Sequence, residues 1–234
     1  MILEEKDYLK LLSNKERKKN VLWSFYSLSA LLIIDIFIGL FYYFQLIKFN
    51  NNEIEDISTL ETIYAIFNIL VMINMIATIV FFILWFRRSY ANLNRIGVYI
   101  ENKENMALWG FIIPILNWFK PVKIAKEIDL KYDYLVEELD SNHQKNYNNY
   151  SVIVAWWVLF WVENVYSRIT FKTDYESLDQ MIDYQLYDII GFGITLLSAI
   201  LTILLIQSLG KTQDKLEDLA ELEELKKIGA DTVS

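Results

Sequence analysis

Two carboxylates, Asp35 and Glu163, interrupt runs of apolar residues. Inside hydrocarbon such a group costs about 2.5–3.5 kcal/mol on insertion scales, so it is found paired, protonated, or on the path of an ion or proton. Asn74 and Thr195 break two further apolar runs. The chemistry open to this set is the binding and relay of cations or protons. Equally, the acids are protonated or bonded to Asn74, Asn68 or Arg168 and serve to register helices. A carboxylate pair also serves intramembrane proteases, but neither acid here sits in a supporting motif. Other catalytic signatures are poor. The one histidine, His143, lies in a polar stretch, reads as solvated and cannot build a multi-histidine metal site. No cysteine is present, which excludes disulfides and thiolate metal sites. Gly191-Phe192-Gly193 lies inside an apolar run, without the strand and loop of a phosphate-binding motif. The expectation is a protein without catalysis, metal or cofactor.

The elements that must position these residues are four apolar stretches, 21–44, 63–86, 151–171 and 189–209. A hydrocarbon core about 30 Å thick needs about 20 helical residues to cross it, so the expected fold is an all-α membrane protein with four transmembrane helices. A composition of 54% hydrophobic residues agrees. In the third stretch the clean apolar run, 152–162, is too short to cross alone; carrying it through Glu163, Asn164 and Arg168 to Phe171 gives about 31 Å of helix. Measured from one set of helix ends, Asp35 lies about 21 Å in, Asn74 about 18 Å, Glu163 about 18 Å and Thr195 about 21 Å. The four polar residues are therefore expected to converge inside the bundle or at a subunit interface. Gly191, Thr195, Ser198 and Thr202 share one face of the last helix, a small-residue pattern that permits close packing. Ser27, Asp35 and Gly39 share a face of the first.

Orientation follows from charge. Lys and Arg number 6 before the first stretch, 9 in 87–150 and 4 after 209, against Lys48 in the first outer loop and Arg168 and Lys172 in the second. Basic residues near helix ends stay in the cytoplasm, which sets both termini inside a bacterial inner membrane. The outer loops are acidic, with Glu53, Glu55, Asp56 and Glu61 in one and Asp174, Glu176, Asp179, Asp183 and Asp188 in the other. The first stretch is longer than a signal-peptide core and follows a polar lead, so it is expected to be a retained span. A net charge of −8 is divided between compartments, and no direct nucleic-acid binding is expected.

The middle segment 87–150 is the most distinctive part of the chain. The second helix is expected to continue through Arg87, Arg88 and Asn92 to Arg95, with Gly97 as its stop. Residues 109–121 follow, containing both prolines, Pro114 and Pro121, with Asn117 and Lys120 between them. This stretch is too short and broken to span and too apolar for a free loop, so an interfacial or re-entrant element is expected. After Pro121, a stripe of Ile124, Ile128, Tyr132, Leu135 and Leu139 marks an amphipathic cytoplasmic helix over 121–139. Lys120, Lys123 and Lys126 would suit anionic headgroups at about 1 kcal/mol each. Equally, this helix covers the inner mouth of the bundle.

Residues 85–93, the Pro114 to Pro121 block and Trp156-Trp157 with Trp161 together resemble an uncharacterised bacterial membrane family, the domain of unknown function 4328. The likeness runs from the second helix onward and includes span order and the two-proline insertion. It implies topology rather than activity. Phe111 stands where the family favours Trp, and Lys120 where it favours Arg; Lys lacks the planar fork of Arg, which weakens any anion clamp there.

Beyond 209 the chain forms an acidic cytoplasmic tail. Leu216, Leu219, Leu222, Leu225 and Ile228 recur every third residue and drift about 60° per step around a helix, so no coiled-coil seam results. A short solvated or partner-dependent helix is expected. Two functional readings follow for this multi-pass protein in its lipid bilayer. One is a homo-oligomeric, channel-like or membrane-perturbing component; the other is an accessory module docking a cytoplasmic protein partner through 121–139 and the tail. Either would suit a stress or antiviral role.

Overall fold

In the computed structural model of the chain, residues 6–145, 148–170 and 176–231 are described; Phe171, Lys172 and Asp174 of the expected third span and outer loop lie outside them. Among the described residues, a single 3-10 turn at Tyr8–Lys10 is followed by seven helices: α1 Lys15–Asn50, α2 Ser58–Arg95, α3 Met106–Ile112, α4 Pro114–Asn117, α5 Lys120–Leu139, α6 Asn148–Thr170 and α7 Leu178–Asp231. Among the described residues there is no strand. Four helices among the described residues are long and apolar enough to cross a membrane, those over Lys15–Asn50, Ser58–Arg95, Asn149–Thr170 and Leu178–Glu223. The fold is all-α, as expected.

α7 departs furthest from expectation. It begins before Asp179, Asp183 and Asp188, which therefore occupy its first turns instead of a loop. Acidic residues favour the positive end of a helix macrodipole, so a run that looks like a loop by charge suits a helix start. At its other end α7 continues into the tail. There Gln213, Leu216 and Ala220 are buried, so the first half of the tail is packed rather than solvated.

The chain divides into two units, one of Met1–Leu22, Val80–Val154 and Leu204–Ser234, the other of Trp23–Ile79 and Ala155–Ile203. The core of the first gathers Trp85, Phe86, Tyr90, Leu93, Ile124, Ile128, Leu135, Leu205 and Leu216. The stripe on α5 is spent here: Ile124, Ile128, Tyr132 and Leu135 are at most 2% exposed, so this chain already covers them. α2 ends in a Schellman motif, with Val98 N–H bonded to Leu93 O at 2.9 Å, Gly97 N–H bonded to Asn94 O at 3.1 Å and Gly97 at φ 84°. A Cβ at Gly97 would meet nothing, so backbone conformation alone calls for glycine. Ile113, held extended before Pro114, separates α3 from α4. Phe111 docks α3 edge-on against Phe82 and Phe86, at ring separations of 5.7 and 5.5 Å. Trp109 and Ile112 of α3, Ile115 of α4 and Trp118 just after α4 are left exposed.

The second unit holds the acids and amides of the expected polar layer. Tyr42 and Leu46 of α1 and Tyr64 of α2 form a small core closed by Leu178, Met181 and Ile182 of α7. Further back along α1, Gly39 meets Gln185 and Ile189, so α1 and α7 run antiparallel.

Candidate intramembrane polar site

Glycine makes the site in the second unit by letting α7 approach α1. A Cβ at Gly39 would stand 3.2 Å from Gln185 Nε2, 3.2 Å from Ile189 Cγ1 and 3.4 Å from the Tyr64 hydroxyl. Into this close approach Gln185 Nε2 donates to Gly39 O at 3.3 Å and to Tyr64 Oη at 3.1 Å. The Tyr64 ring stacks on Tyr42 at 5.1 Å. Three helices are thereby tied at one level by a buried amide.

Asp35 lies one turn from Gly39 on the same face of α1. Its side chain is 0% exposed, and neither carboxylate oxygen has a hydrogen-bond partner among the described residues. Asp188 of α7, three residues past Gln185, is the charged group within electrostatic reach of it. Asp188 itself is exposed, between the buried Gln185 and Ile189 on α7.

Elsewhere in the layer the structure forms pairs. Thr195 Oγ1 donates to Glu163 Oε1 at 2.9 Å, joining α7 to α6, and Asn74 Nδ2 donates to Ser27 Oγ at 3.0 Å, joining α2 to α1. Asp35 bonds to none of the three expected companions, Asn74, Asn68 and Arg168; Asn68 turns back to Tyr64 O and Arg168 is exposed. Of the small-residue face on α7, Ser198 and Thr202 are buried, with Thr202 Oγ1 bonded to Ser198 O at 2.7 Å, and Gly191 sits against Tyr166. Glu163 and Thr195 thus bond to each other and Asn74 to Ser27, while Asp35 bonds to none of them.

The interfacial residues all lie in the first unit. Arg87 Nη2 donates to Asn105 Oδ1 at 3.0 Å. Asn92, 1% exposed, clamps the N-terminal segment by donating to Leu12 O at 2.7 Å, and also accepts from Arg95 at 3.1 Å. Lys120 Nζ donates to Asn102 Oδ1. Pro114 and Pro121 open α4 and α5, where a missing N–H costs no helical bond. Asn117 Oδ1 is buried without a partner among the described residues. Arg88 is half-buried, between Arg87 and the buried Ser89 on α2.

Several polar residues that the pattern does not single out prove central. Asn14 Nδ2 donates to Ser89 Oγ at 2.9 Å and to Trp85 O at 3.2 Å, while Ser89 donates to Gln213 Oε1 at 2.9 Å. Asn14, Ser89 and Gln213 are each at most 3% exposed and fix the N-terminal segment, α2 and α7 together. Glu127 accepts from Tyr90 Oη at 2.7 Å and from Glu101 N–H at 2.8 Å. His143 is not simply solvated: its Nε2 lies 2.8 Å from Asp133 Oδ1 and its Nδ1 3.1 Å from Lys215 Nζ. Burial pushes the Asp129 carboxyl above the usual range, opposed by the bond from Asn149 Nδ2 at 2.7 Å. Burial likewise raises the Tyr132 phenol, whose hydroxyl donates to Ser89 O. The bond from Lys215 holds Asp140 below its ordinary value.

A family model described as a domain of unknown function, DUF4328, matches residues 50–211. No curated protein and no solved structure matches the chain.

Proposed function

The chain belongs to the DUF4328 family, and on that footing we propose that it is a non-enzymatic, multi-pass protein of a bacterial inner membrane that assembles with its own copies into a channel-like, membrane-perturbing component. The observation that carries this reading is Asp35, a carboxylate with 0% exposure and, among the described residues, no bonded oxygen, on a helix apolar enough to span. A buried ionisable group without a partner is costly, and in membranes such groups mark ion and proton paths. Asp188, exposed on α7, is a second carboxylate within electrostatic reach of it. Assembly is favoured by α6, whose apolar window is 11% buried against 28% in each of the other three and yet carries the half-buried Glu163. Lipid solvates that side chain poorly, whereas the α6 of another copy would cover it.

In this reading both termini face the cytoplasm, as the distribution of Lys and Arg requires. The exposed Trp109 and Ile112 of α3, Ile115 of α4 and the following Trp118 rest in the inner interface, with Lys120 and Lys123 beside them. The competing reading, a module that docks a cytoplasmic protein along α5, is less favoured, because the α5 stripe is buried within this chain.

Two experiments test the arrangement. Cysteines at Asn51 and Ser177 are expected to react with an impermeant thiol reagent from outside, and one at Asn142 only after the membrane is opened. Labelling of Asn142 in intact cells would reverse the orientation. Separately, single cysteines at Val158 and Val165, both exposed on α6, are expected to cross-link copies of the chain in native membranes. Monomer alone at both positions would remove assembly through α6.

A further inference from the structure

Four of the five arginines in the chain occupy one neighbourhood of the first unit. Arg17 Nη1 donates to Leu84 O at 2.8 Å, which lays its guanidinium on the α2 turn that leads into Arg87 and Arg88. Arg95 follows Arg88 two turns later on α2, and the charged groups within electrostatic reach of Arg88 are Arg17, Arg95 and Arg87. In a protein of net charge −8 the expected neighbours would be carboxylates. Among the described residues, however, the ion pairs are made by Lys or His, as in Lys15–Asp218, Lys18–Asp214, Lys131–Glu127, Lys215–Asp140 and His143–Asp133. Arg17, Arg87 and Arg95 instead bond to neutral oxygens of Leu84, Asn105 and Asn92. Like charges brought together without a counter-charge repel, and a bound anion relieves that repulsion. The guanidinium fork matches phosphate oxygens in planar, bidentate geometry.

We propose that Arg17, Arg87, Arg88 and Arg95 form a binding site for the phosphate of an anionic lipid headgroup. The site rests on the proposed placement of α1 and α2 across the bilayer. Arg87 directly follows the apolar run of α2, and Arg17 precedes that of α1 by about one turn, so Arg17, Arg87 and Arg88 stand at headgroup depth, with Arg95 about 12 Å farther along α2. Asn105, held by Arg87, is followed directly by α3, whose exposed Trp109 and Ile112 offer apolar surface for acyl chains.

The test uses the full chain in uncharged detergent, with thermal melting read against added phosphatidylglycerol, phosphatidylcholine or inorganic phosphate. Phosphatidylglycerol is expected to raise Tm, and the effect to shrink with salt. Phosphatidylcholine and millimolar phosphate are expected to do neither. The double variant Arg17→Gln/Arg88→Gln should bind phosphatidylglycerol at least tenfold more weakly, while its lipid-free Tm stays equal or rises because repulsion is relieved. Lys211→Gln, exposed on α7, should leave the response unchanged. An undiminished response in the double variant would overturn the proposal, as would an equal response to phosphatidylcholine. Saturation by inorganic phosphate would assign the cluster to a soluble phosphate compound and overturn the lipid. A fall in lipid-free Tm would assign the arginines to packing. Failure of the bilayer placement would show separately, in the cysteine-labelling pattern.

Discussion

Asp35→Asn is expected to raise the stability of the purified protein by about 2 kcal/mol at neutral pH, while leaving its helix content and its assembly intact. The carboxylate is fully buried and neither oxygen is bonded among the described residues, so its burial is uncompensated there. Asparagine keeps the shape and removes the charge, and the cost of an Asp within a span is about 2.5–3.5 kcal/mol. Thermal melting in detergent reads the effect as a higher Tm. A lower Tm would mean that the carboxylate holds helices together. Glu163→Gln is expected to behave differently: Gln can still accept from Thr195 Oγ1, so its stability should move by less than about 1 kcal/mol. The contrast between these two variants separates an acid kept for its charge from one kept for its bond.

Trp85→Ala is expected to cost about 3–5 kcal/mol, the loss that follows when a large aromatic side chain is cut out of a close-packed core. Trp85 is 0% exposed, lies against Phe82 and Phe86 at ring separations of 5.9 and 6.3 Å, and lends its carbonyl to Asn14 and Ser89. The cavity left behind would loosen the turn of α2 on which the Asn14–Ser89–Gln213 network is built. Lower Tm, with faster proteolysis of the N-terminal segment and the tail, is the expected readout. Leu9→Ala, at a side chain 70% exposed, should change stability by less than about 0.5 kcal/mol. Equal effects from the two would contradict the core described for the first unit.

What the sequence discloses follows the physics of each signal. Four apolar runs announce four spanning helices because a bilayer imposes length and hydrophobicity together. The stop at Gly97 and the α5 stripe are equally plain, since a positive φ and a helical period are local properties. The depth of Asp35, Asn74, Glu163 and Thr195 can be counted from the rise per residue, but their pairing depends on the rotation of each helix, which tertiary packing sets. For that reason Glu163 with Thr195 and Asn74 with Ser27 form pairs while Asp35 stands apart. Gln185 escapes notice because it lies beyond the apolar run of α7 amid acids, although Gly39 on the Asp35 face of α1 already marks a close approach. Asn14, Ser89 and Gln213 are hidden for a related reason: polar residues beside helix ends resemble solvated ones until their partners, far apart in sequence, are brought together. The arginine cluster is visible as residue type and hidden as a site, since Arg17 meets α2 only through the fold.

Cation efflux from phospholipid vesicles reconstituted with the purified chain tests the channel reading most directly. The wild-type protein is predicted to release cations well above empty vesicles. Asp35→Asn, incorporated and assembled to the same extent, is predicted to lower that flux at least tenfold. Wild-type vesicles no leakier than empty ones, or full flux through Asp35→Asn, would contradict the account.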